Sequence, residues 1–242
     1  MNALHNFLFI VLPYIAFAVF VVGSIYRYRR TKYAYSSLSS QFLEGKKLFW
    51  GSVPFHFGLM VVFFGHLIAF MFPRTILAWN SYPVRLIILE ATGFIFGLSL
   101  VAGLVNLLIR RVMTPRIRAV SNKMDIIVLL LLLCQSFLGC WIAIGYRWGS
   151  SWFASDLSPY LWSIIKLDPQ IGVVKLLPLV IQLHIIGAFV IVLIIPFTRL
   201  VHFLVFPVFY IFRPYQKVIW NWDRKTINDA GSPWSKTRPK NN

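Results

Sequence analysis

The sequence predicts an all-α integral membrane protein built as a bundle of five transmembrane helices. Of its 242 residues, 58% are hydrophobic and only 13% are charged, whereas soluble domains carry about 25% charged residues. Five stretches of mostly apolar residues follow one another along the chain. A helix of about 20 such residues crosses the hydrocarbon core of a bilayer. One transmembrane domain is therefore expected over residues 1–220, followed by a polar, flexible tail over residues 221–242.

The limits of the apolar stretches define the predicted spans. The first is interpreted as a retained span, because no Lys or Arg precedes Phe7 and the apolar stretch continues to Tyr26. A further apolar stretch, residues 203–212, is interpreted as an interfacial extension of the last span. The five spans are Ala3–Tyr26, Val53–Phe72, Leu86–Ile109, Met124–Tyr146 and Val173–Ile195.

The net charge of +17 would suggest nucleic-acid binding in a soluble protein. Here the basic residues follow the topology instead. Nineteen of the 24 Lys and Arg residues lie in the segments that five spans would place on one side of the membrane. The positive-inside rule then predicts an outer N-terminus, a cytoplasmic C-terminus and no nucleic-acid partner.

Four of the five histidines lie on or near two of the predicted spans, the second and the fifth. His56 and His66 are on the second span, whereas His184 and His202 are on or after the fifth. A polar ring in hydrocarbon is costly unless it is paired, so intramembrane histidines predict a functional site. The remaining histidine, His5, is expected to be a bystander.

The predicted topology decides which histidines can meet. The second span runs outward and the fifth inward, so His66 pairs with His184 near the outer face and His56 with His202 near the cytoplasm. Each pair bridges two antiparallel helices at similar depth, which is the arrangement for bis-imidazole ligation of a haem iron. The sequence therefore predicts two b-type haems.

Helical spacing fits this hypothesis only in part. If the fifth helix were continuous, His184 and His202 would share one face, whereas His56 and His66 would be rotated apart by roughly 80°. The separations within each helix would be about 15 and 27 Å, and a kink at Pro196 is one way to reconcile them. Room for the macrocycles is expected from three glycines near the histidines: Gly58, Gly65 and Gly187.

No pattern of catalytic residues accompanies the histidines. G-x-S-x-G and H-E-x-x-H motifs are absent, so no catalytic residue is predicted. The two acids near the membrane, Glu90 and Asp125, lie at span ends, where capping or a basic neighbour explains them as well as proton transfer does. Cys134 and Cys140 are interpreted as packing residues.

These features resemble the gamma subunit of membrane-bound respiratory nitrate reductase, a five-span cytochrome b, over nearly the whole chain to about Val218. Both histidine pairs occur in the order and surroundings of that family. The motifs that carry the resemblance are Arg27-Tyr28, Ser39-Ser40-Gln41, Phe55-His56, Gly65-His66, Arg110-Arg111, Pro115-Arg116, Leu183-His184, residues 196–202 and residues 213–216.

The resemblance implies a function for each pair. Quinol would be oxidised near the outer haem of His66 and His184, and electrons would pass through the inner haem of His56 and His202. An iron–sulfur (beta) subunit and a molybdenum (alpha) subunit would then receive them and reduce nitrate, in a bacterial or archaeal cytoplasmic membrane.

Three arginines are further candidates for cofactor or substrate contacts. Arg111 and Arg199, at cytoplasmic span ends, are candidates for the inner haem propionates, with topological anchoring as the alternative. Arg85, where the family carries lysine, is a candidate for the quinol site. Two other functions stay open: a related dihaem quinol subunit serving another molybdenum or sulfur-compound oxidoreductase, and a non-redox scaffold or transporter with buried histidines.

Overall fold

The computed structural model describes residues 2–31, 40, 43–205 and 212, most of which are helical, with no strand among them. Five helices are long and apolar enough to cross a membrane, which confirms the predicted number of spans. We label them in chain order, with α5 restricted to its α-helical part: α1 (Ala3–Arg30), α2 (Lys46–Met71), α3 (Pro83–Met113), α4 (Lys123–Gly145) and α5 (Leu179–Ile194).

The helices extend beyond the predicted apolar limits at five of their ten ends. α2 begins seven residues before Val53, and α3 continues to Met113, because a helix does not stop where the hydrocarbon core stops. The fifth span was predicted to begin at Val173, and this was wrong. Gly172–Leu176 forms a separate short helix, and Pro178 adopts an extended ψ of 146° before α5 starts.

Short helices connect the spans. Proline stands in the first turn of three of them, where its missing N–H costs no helical hydrogen bond. The four short helices are Pro73–Asn80, Pro115–Ala119, Gly149–Trp152 and Ser158–Ile165. A π-helical turn at Phe153–Leu157 joins the last two.

Side-chain contacts join one end of all five helices into a continuous group, which we call the basic end. Arg110 of α3 contacts the segment before α2, and Arg111 of α3 pairs with Asp125 of α4. Asp125 also pairs with Arg199, beyond α5, and Arg27 of α1 binds the backbone that follows α5. Successive helices therefore run antiparallel.

The opposite end is closed by the helix Ser158–Ile165. Tyr160, fully buried, donates a hydrogen bond of 2.8 Å to the carbonyl of Phe9 on α1. The indole of Trp162 donates to the carbonyl of Phe70 at the end of α2, at 3.0 Å. Burial raises the pKa of the Tyr160 phenol far above its ordinary value, so this donor keeps its proton.

The outer surface of the bundle is apolar. Large hydrophobic side chains on the spans remain widely exposed, among them Phe57, Ile95 and Ile144, at 64%, 62% and 68%. A surface of this kind is unsuited to water and suited to lipid. It agrees with a multi-pass membrane protein.

Glycines bring α2 and α3 into backbone contact. A Cβ atom on Gly58 would lie 2.6 Å from the carbonyl oxygen of Phe96, and one on Gly103 would lie 2.5 Å from the backbone nitrogen of Phe55. Small residues allow this close approach between membrane helices. The helix that carries His56 and His66 is thereby fixed against α3.

The predicted boundary at residue 220 falls outside the described residues. The chain divides into a compact unit, Met1–Val205, and a second unit, Phe206–Asn242, of which only Phe212 is described. The predicted interfacial extension and polar tail therefore stay predictions.

The α2–α3 contact predicts a large effect from one methyl group. Gly103→Ala should destabilise the protein by about 1–3 kcal/mol, because the new methyl group overpacks the backbone of α2. Gly93→Ala is the control on the same helix, where a Cβ meets nothing within 4 Å. Circular dichroism of each purified variant in detergent gives its melting temperature. Equal melting temperatures for the two variants would contradict the prediction.

An ion pair fixes the segment before α2. The buried guanidinium of Arg110 donates to the Glu44 carboxylate at 2.7 Å and to the Glu44 carbonyl oxygen at 2.7 Å. The backbone amide of Lys47 donates to the same carboxylate at 2.6 Å. The pKa of Glu44 is lowered from its ordinary value of 4.5, mainly by the hydrogen bond from the Lys47 amide and next by the bond from Arg110.

This lowered pKa predicts a pH dependence. Charged Glu44 stabilises the folded state above its unfolded pKa, and this contribution is lost as the pH falls through the lower folded value. The melting temperature of the wild type should therefore exceed that of Glu44→Gln at pH 7. This difference in melting temperature should shrink below about pH 4.5. Melting curves between pH 3 and 7 test this, and a difference independent of pH would refute it.

Candidate functional site

The four histidines lie where two pairs can form. His56 and His66 are both on α2, with His56 nearer the basic end. His184 is on α5, and His202 is on a separate 3-10 helix, Arg199–Val205, at the basic end. His5 stacks on Phe9 near the start of α1, at 6.0 Å between ring centroids.

His56 and His202 face each other. Their ring centroids are 6.3 Å apart and their planes are inclined at 73°. Two metal–nitrogen bonds of about 2 Å and two imidazole radii of about 1.1 Å span roughly 6 Å. The spacing therefore suits two imidazoles that bind one metal from opposite sides.

Three of the histidines are oriented for metal binding through Nε2. The Nδ1 atoms of His56 and His66 each donate to the backbone carbonyl four residues earlier, at 2.8 Å, and Nδ1 of His202 donates to the carbonyl of Arg199 at 2.8 Å. A proton on Nδ1 leaves the lone pair on Nε2. This second hydrogen bond is the usual way in which metal-binding histidines are held.

The predicted second pair is His66 on α2 with His184 on α5. The His66 ring meets Phe153 edge-on, with centroids 5.2 Å apart. Beside it, a Cβ on Gly65 would meet nothing within 4 Å, so this side of α2 borders open space.

His184 has different surroundings. Its Nδ1 is buried and has no hydrogen-bond partner among the described residues, whereas its backbone carbonyl accepts a bond of 2.9 Å from the Gln135 amide. Its ring also packs against Gly139 of α4, where a Cβ would lie 3.2 Å from Cε1. Sequence reasoning missed Gln135 and Gly139, although an amide inside an apolar run is itself a signal.

The glycine hypothesis holds at one position of three. Gly65 borders open space, but Gly58 packs on the backbone of α3, and a Cβ on Gly187 would clash with the side-chain oxygen of Gln135. Two of the predicted glycines thus serve close packing rather than room for a macrocycle.

The donor set fits haem better than a bare ion. Among the described residues, no three of His, Cys, Asp and Glu converge on a point where they could hold a metal ion. His56 and His202 instead offer two facing imidazoles, which suits a metal whose remaining ligands come from a macrocycle. This pair therefore fits a bis-histidine haem.

The fifth helix breaks between its two histidines. The α-helix ends at Ile194, a 3-10 turn covers Ile195–Phe197, and Thr198 is extended at φ −119° and ψ 176°. The break includes Pro196, where the sequence indicated a possible kink, so the shared face of a continuous helix does not apply to His184 and His202. His202 is placed by its own element, the 3-10 helix Arg199–Val205.

Arg27 of α1 binds the broken end of the fifth helix. Its Nη1 donates to the carbonyl oxygens of Pro196 and Thr198, each at 2.6 Å. These carbonyls lie where regular helical bonding stops. Arg27 therefore satisfies groups that would be costly to leave unpaired in a membrane.

Arg111 and Arg199 share one carboxylate. Arg111 Nη1 lies 2.8 Å from Asp125 Oδ2, and Arg199 Nε lies 2.8 Å from Asp125 Oδ1. Asp125 is only 7% exposed and forms a capping box with Asn122 at the start of α4. Both structural explanations offered for this acid, capping and a basic neighbour, are thus realised.

Arg85 and Glu90 lie toward the opposite end, near the start of α3. The guanidinium of Arg85 lies 4.4 Å from the ring centroid of Tyr82 and 5.1 Å from that of Trp79. Glu90 accepts hydrogen bonds from the backbone amide and hydroxyl of Ser150, at 2.8 and 2.6 Å.

Comparison with known proteins identifies the family. The family model described as nitrate reductase gamma subunit matches residues 5–221. The nitrate reductase gamma chain of Bacillus subtilis (strain 168) is 34% identical over 209 residues, which are 85% of this chain and 93% of that protein. The respiratory nitrate reductase 1 gamma chain of Escherichia coli (strain K12) is 33% identical over 228 residues, which are 90% and 98% of the two chains.

A third relative is longer. The nitrate reductase-like protein NarX of Mycobacterium tuberculosis is 32% identical over 214 residues, which cover 85% of this chain but 32% of that protein. The matches thus extend over most of the residues that form the five spans. The chain belongs to the nitrate reductase gamma subunit family.

Proposed function

We propose that this chain is the membrane-anchoring cytochrome b subunit of a respiratory nitrate reductase complex. It would oxidise quinol near the outer face and pass electrons through two b haems to a cytoplasmic iron–sulfur subunit. The observation that carries the proposal is the facing pair His56 and His202, with centroids 6.3 Å apart and Nδ1 of each bonded to backbone. The family assignment supplies the nitrate reductase context.

Each histidine pair would hold one haem through Nε2. His66 and His184 would hold the haem nearer Arg85, and His56 and His202 the haem at the basic end. When bound, the haem irons supply one-electron transfer. The chain itself orients three of the four imidazoles, those of His56, His66 and His202, through the backbone carbonyls that accept the Nδ1 protons.

The basic end is assigned to the cytoplasm. Arg27, Arg110, Arg111 and Arg199 all lie at this end, and the positive-inside rule favours the cytoplasm for it. The N-terminus is then outside and the C-terminus inside, in a bacterial or archaeal cytoplasmic membrane. The iron–sulfur and molybdenum subunits, the latter reducing nitrate, would dock on this end.

Quinol oxidation is assigned to the region of His66, His184 and Arg85. Arg85 would donate a hydrogen bond to a quinol oxygen, while Tyr82 and Trp79 hold the guanidinium in place. Two protons would leave on the outer side as two electrons pass inward. Moving an electron charge against the membrane potential stores about 2.3 kcal/mol per 100 mV. Arg111 and Arg199 are proposed contacts for the propionates of the inner haem.

Alanine variants of the ligands test the pairing. His66→Ala and His184→Ala should each remove the same b-type component from the reduced-minus-oxidised spectrum of the purified complex. His56→Ala should remove the other component, and His5→Ala, whose ring stacks on Phe9, should keep both. Wild-type protein without b-type bands would refute the haem proposal, and loss of one common component in His56→Ala and His66→Ala would refute the pairing.

A second experiment tests Arg85. Arg85→Ala should raise the KM for a quinol analogue about tenfold, the effect of about 1.4 kcal/mol for one charge-assisted hydrogen bond, while the haem spectrum stays unchanged. Arg85→Lys should recover most of the affinity. Steady-state oxidation of a reduced quinone with nitrate as acceptor gives the KM, and an unchanged KM in Arg85→Ala would place the quinol elsewhere.

A further inference from the structure

The segment that carries His202 is positioned by contacts with other helices. It follows the break at Thr198 and is a short 3-10 helix, Arg199–Val205. A 3-10 helix has weaker hydrogen-bond geometry than an α-helix and does not by itself fix a side chain firmly. Contacts with other helices therefore determine where His202 lies.

Asp125 supplies one of these contacts from a fixed position. Its Oδ2 accepts hydrogen bonds from Arg111 Nη1 at 2.8 Å and from the backbone amide of Asn122 at 3.0 Å. Its own backbone amide donates to the Asn122 side chain at 2.8 Å. The carboxylate is therefore anchored to α3 and to the first turn of α4, and Oδ1 remains directed at Arg199, 2.8 Å from Nε.

Two successive contacts connect this carboxylate with the histidine. The Arg199 side chain pairs with Asp125, and the Arg199 carbonyl oxygen accepts the Nδ1 proton of His202 at 2.8 Å. Arg199 is thus held at its side chain while its backbone orients the imidazole. The His202 ring then faces His56 at 6.3 Å.

We infer that Asp125 is a positioning residue for His202 and so for the inner haem, an inference that rests on the proposed function of the His56–His202 pair. Asp125 holds Arg199, and Arg199 holds the ring of His202 beside that of His56. Without the carboxylate, two guanidinium groups at the basic end lose their shared partner and repel each other. The outer pair, His66 and His184, has no contact with Asp125 among those the structure describes.

The test compares three variants in the complete complex: Asp125→Asn, Asp125→Glu and Glu44→Gln. Asp125→Asn keeps the size of the side chain but removes the charge. It should weaken retention of the inner haem about tenfold, the lower end of the effect of removing groups that support a metal ligand. The outer haem should remain. Haem content and the midpoint potential of each component are read by optical redox titration.

Asp125→Glu keeps the charge and shifts the carboxylate by one methylene. It should retain both haems and change the midpoint potential of the inner component alone. Glu44→Gln is the matched control, because it removes the ion pair with Arg110 at the same end without touching residues 196–205. It should leave both components at their wild-type potentials. If Asp125→Asn is not recovered from the membrane, Asp125→Glu decides.

Three outcomes separate the readings. Unchanged content and potentials in both Asp125 variants would overturn the positioning role. Loss of both haems in Asp125→Asn, with Glu44→Gln intact, would also overturn it, because Asp125 would then support the whole bundle. A different result would overturn the proposed function on which this inference rests. That result is a wild-type complex with no b-type component that depends on His56.

Discussion

The two hydrogen bonds from Arg27 to the carbonyl oxygens of Pro196 and Thr198 permit the fifth helix to break inside the bundle. In hydrocarbon, a backbone group without a partner costs several kcal/mol, so a break is stable only where another group supplies the missing bond. One guanidinium from α1 does so at 2.6 Å for both carbonyls. The direction of the chain after Thr198, and with it the position of His202, depends on this contact.

The two histidine pairs are built on unequal supports. His56 and His66 share α2, which is fixed to the backbone of α3 through Gly58 and Gly103. Their partners lie on separate elements, one on α5 and one on the short helix after the break. The bundle thus combines a rigid side, which sets the depth of both pairs, with a second side assembled from two independently held pieces.

The sequence was sufficient to predict the five spans and the family. These features follow from hydropathy, charge asymmetry and local motifs, which are properties of neighbouring residues. Pro196 indicated a possible kink in the fifth helix. The Arg27 bonds at the break, the Gln135 bond to the His184 carbonyl and the shared carboxylate of Asp125 could not be predicted, because each depends on residues distant in sequence. The misread glycines have the same cause, since Gly58 and Gly187 differ from Gly65 only in what lies opposite them.

The break also determines where the chain can accept the insertion or deletion of a residue between two histidines. On α2, an insertion or deletion of one residue between His56 and His66 would turn one ring by about 100° relative to the other, and no irregular segment lies between them to absorb the change. Between His184 and His202, the extended residue Thr198 and its flanking turns already interrupt the helical phase. Descendants of this gene should therefore keep the ten-residue interval on α2 strictly, while the interval across the break can vary by a residue at little cost to the bundle.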